Sequence, residues 1–243
     1  MKVAVLGAGG GGLAVAYEWS SRGHRVSLYA QRTHDHHLAP VRERGGIQAE
    51  GLLEGFVRRE TVTSDIAEAL DGVEVVFVVG PAYATEPFAA DTRGHLRPGM
   101  SVVVCPGSCV GSIAFKRAAG LDLHDESIVV GETSTLPYAA RASMDASVRI
   151  FHRFDTGLFA AAAPRSNTPR LLEVLREVYP RAEEAAGVFQ TTLQNGNPVI
   201  HPAVTLLNAA LIQRTGGDFM FYEEGVTDAV GRVIRAVDDE RLA

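Results

Sequence analysis

The sequence predicts an α/β fold, a doubly wound parallel sheet followed by a smaller all-helical part. Three observations carry that expectation. The chain opens on an apolar strand at residues 3–6, then places Gly7, Gly9 and Gly12 in G-x-G-x-x-G register, and continues as a helix from Leu13 to a stop at Gly23. Apolar runs at 73–79, 101–104 and 128–130 each end in a turn of small residues and alternate with helical segments. That is the pattern of strands buried on both faces of a parallel sheet. From about residue 189 the apolar spacing is helical and no buried strand is evident. The expected domains are 1–188 and 189–243, the first of Rossmann type.

Each element has a local reason. Residues 25–30 follow the glycine helix as a second strand. Residues 46–59 alternate weakly around Gly51 and Gly55, as a small hairpin does. Residues 65–70 read as a short helix capped by Ser64, and 83–96 as a longer one. Residues 147–154 and 157–163 read as two strands forming an antiparallel pair. Leu171, Leu172, Val174, Leu175 and Val178 make one apolar side of a helix at 168–179, and 226–241 reads as a terminal helix.

Bulk composition narrows the function. The chain has 243 residues, 46% hydrophobic and 21% charged, as in an ordinary soluble globular protein. A net charge of −6 argues against a general nucleic-acid surface. No apolar run reaches the length of a membrane span. The glycine turn begins so near Met1 that no cleaved signal peptide is expected, which favours the cytoplasm. Cys105 and Cys109, the two cysteines, lack the partners of a zinc site and are expected to be reduced.

The glycine register has chemical meaning. Gly7 allows a tight turn, Gly9 lets backbone approach a pyrophosphate, and Gly12 lets the helix pack on its strand, while Gly10 and Gly11 add freedom. The helix N-terminus then faces the phosphates. The second strand ends in Tyr29-Ala30-Gln31-Arg32-Thr33, with no carboxylate before Asp35. An NAD site holds its ribose 2′-hydroxyl with an acid there, whereas Arg32 can pair with a 2′-phosphate. NADP is therefore expected, with NAD as the alternative if Arg32 is merely solvated. The cofactor set is Gly7, Gly9, Gly10, Gly11, Gly12, Gln31 and Arg32, with Gly80 and Pro81 at the end of the 73–79 strand. His34, Asp35, His36 and His37 form a polar loop, a metal cluster or extra phosphate contacts. A polar loop is the simplest of these, because adjacent histidines diverge in extended backbone, and no metal site is assigned.

Asn195-Gly196-Asn197-Pro198-Val199-Ile200-His201-Pro202 is the second informative stretch. Asn197 suits an N-cap with Pro198 at the first helical position. Pro202 then requires either a kink at His201 or a helix that starts at Pro202. Either way an imidazole stands near an irregular helix start, as a catalytic group or as a structurally bonded histidine.

Four stretches resemble the opine dehydrogenases, the octopine/nopaline dehydrogenase family. They are the glycine turn, Gly131-Glu132-Thr133-Ser134-Thr135-Leu136-Pro137-Tyr138-Ala139-Ala140-Arg141, the Asn-Pro…His-Pro stretch above, and Phe221-Tyr222-Glu223-Glu224-Gly225. The resemblance covers nearly the whole chain, and the last two stretches are far more specific than the glycines. It implies reductive condensation of an amino acid with an α-keto acid through an imine, using NAD(P)H. His201 would be the catalytic acid/base, and Glu132 and Thr133 would edge the keto-acid site. Many relatives carry Cys where Ala140 stands. Relatives also continue well past residue 243, and an Asp in that later part orients their histidine, so the helical domain 189–243 reads as incomplete relative to the family. Beside this implied role, Asn197 is a candidate for a substrate carboxylate, as is Arg141 unless it forms a structural salt bridge. Tyr222 and Glu223 line the cleft or pack between domains. An apolar face on Val204, Leu207, Leu211 and Ile212 is expected to be exposed and to be covered in a homodimer. Two alternatives stand. One is a simple 2-keto-acid reductase of the ketopantoate reductase type, whose relatives use a second-domain Lys that Lys2 and Lys116 do not supply. The other is a non-catalytic NADP-binding module.

Overall fold

A computed structural model describes residues 1–59 and 61–243. The chain divides into two compact units, Met1–Thr192 and Leu193–Ala243. In the first unit β1 (Lys2–Leu6) leads through α1 (Gly10–Ser21) to β2 (Arg25–Tyr29), then to α2 (Ala39–Arg44), β3 (Gly46–Gly51), β4 (Gly55–Arg58), β5 (Val62–Thr63) and α3 (Ile66–Ala69). There follow β6 (Val75–Val78), α4 (Thr85–Asp91), β7 (Ser101–Val104), α5 (Gly111–Ala119), β8 (Val129–Thr133), β9 (Tyr138–Ala142), β10 (Ser147–Arg153), β11 (Phe159–Ala162), α6 (Thr168–Arg176) and β12 (Glu183–Glu184). The short helix α7 (Val188–Leu193) ends this run.

The main sheet has eight strands in the order β12-β11-β8-β7-β6-β1-β2-β5. From β5 to β8 every pairing is parallel, and β11 joins antiparallel. Read from β5, that is the 3-2-1-4-5-6 order of a dinucleotide-binding sheet with an antiparallel edge. All residues of β6 and β7 are buried, as expected of strands covered on both faces.

A second sheet, β4-β3-β10-β9, lies over α1. This corrects the expected antiparallel pairing of 147–154 with 157–163. β10 pairs parallel with β3 and antiparallel with β9, whereas β11 pairs with β8 in the main sheet. Two adjacent apolar runs show that both are strands but not which distant partner each takes. The 46–59 hairpin forms, with Gly46 opposite Arg58, and becomes half of this second sheet. Enclosed by sheets on two sides, α1 is buried at every position from Gly12 to Trp19.

Glu18 is among those buried residues, and a polar network accounts for it. The Tyr138 hydroxyl donates to its Oε2 at 2.7 Å and Arg153 Nε at 2.9 Å. Tyr138 and Tyr179 share a hydroxyl contact of 2.8 Å, and Trp19 Nε1 donates to Tyr179 at 3.2 Å. Burial, with Tyr179 and Glu18 alongside, pushes the Tyr138 phenol well above its ordinary pKa, so it stays a donor. The network ties α1 to β9, β10 and the segment just after α6.

Three local expectations are corrected. The α3 cap is Asp65, whose carboxylate accepts from the Ala67 and Glu68 amides, while Ser64 Oγ donates to Asp35 instead. The 83–96 helix is only α4, preceded by a 3₁₀ turn at Ala82–Ala84. The helix expected at 168–179 ends at Arg176.

The second unit contains α8 (Asn197–Leu207), α9 (Ala209–Thr215) and α10 (Asp228–Leu242). Its buried apolar residues are Val199, Ala203, Val204 and Val230. Val204 was expected on an exposed face but is fully buried beneath the turn that ends at Gly225, where a Cβ would lie 2.9 Å from Val204 Cγ1. Leu211 and Ile212 are half-buried, and the exposed leucines of α8 are Leu206 and Leu207.

Removing a member of the Glu18 network should cost stability. Glu18→Gln withdraws the carboxylate from Arg153 and should lower unfolding free energy by about 3 kcal/mol. Tyr138→Phe should cost about 1–2 kcal/mol. Denaturant unfolding followed by the fluorescence of Trp19 checks both, and wild-type midpoints would show the network to be dispensable. Burial also pushes the Cys105 thiol up to about 12, so it stays protonated below that pH, whereas Cys109 is exposed. Alkylation of the folded chain at pH 8 should label Cys109 alone.

Candidate functional site

In the first unit the candidate residues gather at the carboxyl ends of β1, β2, β6 and β7. Gly7 has φ +122° and its amide donates to the Tyr29 carbonyl at 2.8 Å. A Cβ on Gly7 would lie 1.9 Å from the Val79 carbonyl oxygen, and one on Gly12 only 1.8 Å from the Gly7 carbonyl oxygen. Neither position admits a side chain. Gly9 differs, because its φ is −78° and a Cβ there would meet nothing within 4 Å. It faces open space where α1 begins, and no side chain caps that helix. Uncapped amides beside open space suit an anionic pyrophosphate. Leu136 lies over Gly11, and the backbone of residues 140–142 over Gly10, so β9 roofs one side of the turn. Gly80 and Pro81 follow β6 at the same end of the sheet.

At the end of β2, Gln31 Nε2 donates to Asp91 Oδ2 at 2.8 Å, as does the Tyr29 hydroxyl. Arg32 is exposed. Asp35 is engaged by a bidentate pair with Arg42 at 2.8 and 2.9 Å and by Ser64 at 2.8 Å. These partners hold its carboxyl below the usual range. The first carboxylate after β2 is thus paired, and Arg32 is the exposed charge beside it. The residues fit a dinucleotide, and the charges fit one with a 2′-phosphate. The histidines occupy a 3₁₀ segment, Arg32–His37. Among the described residues no group of three or more His, Cys, Asp or Glu side chains is placed to hold a metal.

Glu132 and Thr133, expected to edge a substrate, are both fully buried. The Glu132 carboxylate accepts from the Ser112 amide at 2.8 Å, the Ser112 hydroxyl at 2.7 Å and the Thr191 hydroxyl at 2.6 Å. A Cβ on Gly107 would lie 2.5 Å from its carboxyl carbon. Both side chains are thus enclosed by the fold in this structure. Sequence reading missed these partners, and it missed Ser108 and Val110, whose φ values of +55° and +44° are unusual for non-glycine residues and cost about 1–3 kcal/mol each. The Val110 amide donates to Thr192 Oγ1 at 2.9 Å. No local sequence signal marks a left-handed valine.

In the second unit α8 contains Pro202 and runs on through it. The helix starts at Asn197, the expected cap, one residue earlier than predicted. Gly196 takes the cap position, and Asn195 Oδ1 accepts the Asn197 amide at 3.1 Å. Asn197 is exposed in the first turn, and His201 lies one turn on, along the same side. His201 Nε2 is 2.8 Å from the Tyr222 hydroxyl, and its ring meets Phe221 edge-on at 5.9 Å. The Phe-Tyr-Glu stretch thus supplies the neighbour of the imidazole.

The two tight glycines and the open one should separate by mutation. Gly9→Ala should leave thermal stability unchanged while weakening dinucleotide binding at least about tenfold, since the methyl group enters only the open space. Gly12→Ala should lower the melting temperature as well. Paired thermal scans and cofactor titrations check this, and full affinity in Gly9→Ala would remove the pyrophosphate from this turn.

Comparison with known proteins agrees with this arrangement. A family model described as NAD/NADP octopine/nopaline dehydrogenase, alpha-helical domain, matches residues 184–243, and one described as NAD-dependent glycerol-3-phosphate dehydrogenase N-terminus matches residues 2–107. An opine dehydrogenase from Arthrobacter sp. (strain 1C) is 32% identical over 99% of this chain and 66% of its own length. An octopine dehydrogenase structure in complex with NADH and agmatine superposes with a TM-score of 0.76 at 20% identity, covering 99% of this chain and 62% of that one. A yersinopine dehydrogenase with NADP+ bound gives 0.64 at 17% identity, over 85% and 52%. The chain spans just under two thirds of the Arthrobacter relative and less of the two structures. With a match that runs through both the glycine turn and the helical part, the chain belongs to the opine dehydrogenase family, the NAD/NADP octopine/nopaline dehydrogenases.

Proposed function

We propose that the protein is an NAD(P)H-dependent opine dehydrogenase that reductively condenses an amino acid with an α-keto acid. The observation that carries the reading is the 32% identity to an opine dehydrogenase across 99% of the chain, which takes in both the glycine turn and His201. Gly9 to Gly12 and the start of α1 hold the pyrophosphate, Gly80 and Pro81 flank it, and Arg32 holds the 2′-phosphate of NADP. When bound, the reduced nicotinamide supplies a hydride to the imine carbon.

The residues of the chain handle binding and protons. The substrate amine attacks the keto carbon, and loss of water leaves an imine. His201 takes a proton from the attacking amine and gives one to the departing oxygen, work suited to an imidazole that can both accept and donate. Tyr222 orients the imidazole through Nε2. Asn197, exposed one turn before His201, takes a substrate carboxylate. Glu132 and Thr133 act as positioning residues behind the loops at the ends of β7 and β8. The lysine-dependent keto-acid reductase reading has little support in this chain. Its lysines are Lys2 and Lys116, both in the first unit, and Lys116 is fully buried with Nζ on the Leu123 and Asp125 carbonyls.

Among the described residues no helix is long and apolar enough to cross a membrane, and we place the enzyme's action in the cytoplasm. Exposed Leu206 and Leu207 on α8 and Val233 and Val237 on α10 are the surface on which a homodimer would form, and sedimentation of the purified chain reads its size directly.

The functional test is NADPH oxidation with pooled amino acids and pyruvate, oxaloacetate or 2-oxoglutarate. Oxidation should require both substrates and fall at least about 100-fold in His201→Ala. Oxidation with keto acid alone would replace this reading by a simple reductase, and cofactor binding without turnover would leave a nucleotide-binding module.

A further inference from the structure

The histidine triplet after β2 was read from sequence as a polar loop whose adjacent rings diverge. The fold makes it a cluster. Residues 32–37 form a 3₁₀ segment, kinked at His34, and its period of about three residues per turn brings positions i and i+3 over one another. Across the kink, His34 and His37 are stacked, 6.4 Å apart with their planes 8° from parallel. His36 lies 4.1 Å from His37 and 6.2 Å from His34. All three are exposed, and the segment begins at Arg32.

The charges next to the cluster are few. Arg32 and Asp35 stand on the segment itself, and α2 packs against it with Arg42. Arg42 and Ser64 engage Asp35, so its carboxylate is paired rather than free to neutralise an imidazolium. Crowding works against protonation of His37 in the free chain. Burial first, then His36 and His34, hold the His37 imidazole below its ordinary pKa. A phosphate monoester arriving beside Arg32 carries nearly two negative charges at neutral pH and works in the opposite direction.

We propose that Arg32 and the cluster His34, His36 and His37 form one anion subsite for the cofactor's 2′-phosphate, and that preference for the phosphorylated cofactor strengthens as the pH falls. The proposal rests on the dinucleotide reading of this site. Imidazoles that bind protons more tightly in the complex than in the free chain make complex formation take up protons. The added affinity is present below the free imidazole pKa values and is lost as the pH rises through those of the complex. NADH has no 2′-phosphate and does not share the effect.

The test is direct binding of NADPH and NADH to the full chain between pH 6.5 and 8, at low salt because such charges are screened. Variants are Arg32→Gln and the triple His34→Gln, His36→Gln, His37→Gln, with NADH affinity reporting that each still folds. The ratio of NADPH to NADH affinity should rise about threefold or more from pH 8 to pH 6.5 in the wild type. In the triple variant it should stay level or fall, because the phosphate itself gains a proton. A ratio favouring NADPH that depends on Arg32 but has the same slope in the triple variant would overturn the histidine role and leave the NADP assignment standing. Equal affinities at every pH, or no binding of NADPH, would overturn both.

Discussion

The approach of Gly12 to the Gly7 carbonyl, too close for any Cβ, is the constraint on which the first unit depends. It seats α1 directly on β1, and Gly7 repeats the restriction against Val79 at the end of β6. Those two contacts fix the turn between the strands at the centre of the sheet, where the loops after β1 and β6 leave in opposite directions. A ligand crevice lies at such a point in open parallel sheets. Gly9 is the one glycine of the turn's fingerprint left facing open space. The same seating exposes the back of α1 to the second sheet, which requires a partner for the buried carboxylate of Glu18. Tyr138 and Arg153 supply that partner from β9 and β10. The strand that completes the network also passes over Gly10, so the support of the helix and the wall of the turn are one element.

Much of this was legible in the sequence because it is local. Glycine spacing, a strand before it and a helix after it are decided within about twenty residues, and the all-apolar runs of β6 and β7 announce burial on both faces. What failed was nonlocal. The partner of β10 is β3, about a hundred residues earlier, and no periodicity records that choice. β9 went unseen because its residues were read as a site loop. Among the caps, Ser64 and Asp65 are both good cap residues in adjacent positions, and the Ser64 hydroxyl donates to Asp35 while Asp65 caps the helix.

The candidate site divides along the same line. The imidazole and its helix were recognisable from Asn-Pro…His-Pro, and the phosphate turn from its glycines. For Glu132, family resemblance marks a residue as important without saying whether it touches ligand or holds what does. Its two oxygens take three donors, two of them from Ser112 at the start of α5, so the charge is satisfied inside the fold. The histidines after β2 were misjudged for a different reason, because extended backbone was assumed where a 3₁₀ segment forms.

The partner of His201 sets what that imidazole can do. The Tyr222 hydroxyl holds the ring at Nε2. A carboxylate in the same place would also stabilise the imidazolium and so make the ring a stronger base. With a phenol there, the ring is oriented by a hydroxyl. Pro202 lacks the amide that would bond the Pro198 carbonyl, and the first turn of α8 is held by the Val199 and Ile200 amides on the Gly196 carbonyl and by Asn195 Oδ1 on the Asn197 amide. The Asn197 side chain is exposed one turn before the histidine. An imidazole held in place, able to take and to give a proton, is suited to passing one both ways. Amine addition and loss of water require just that, since one step gives up a proton and the next consumes it.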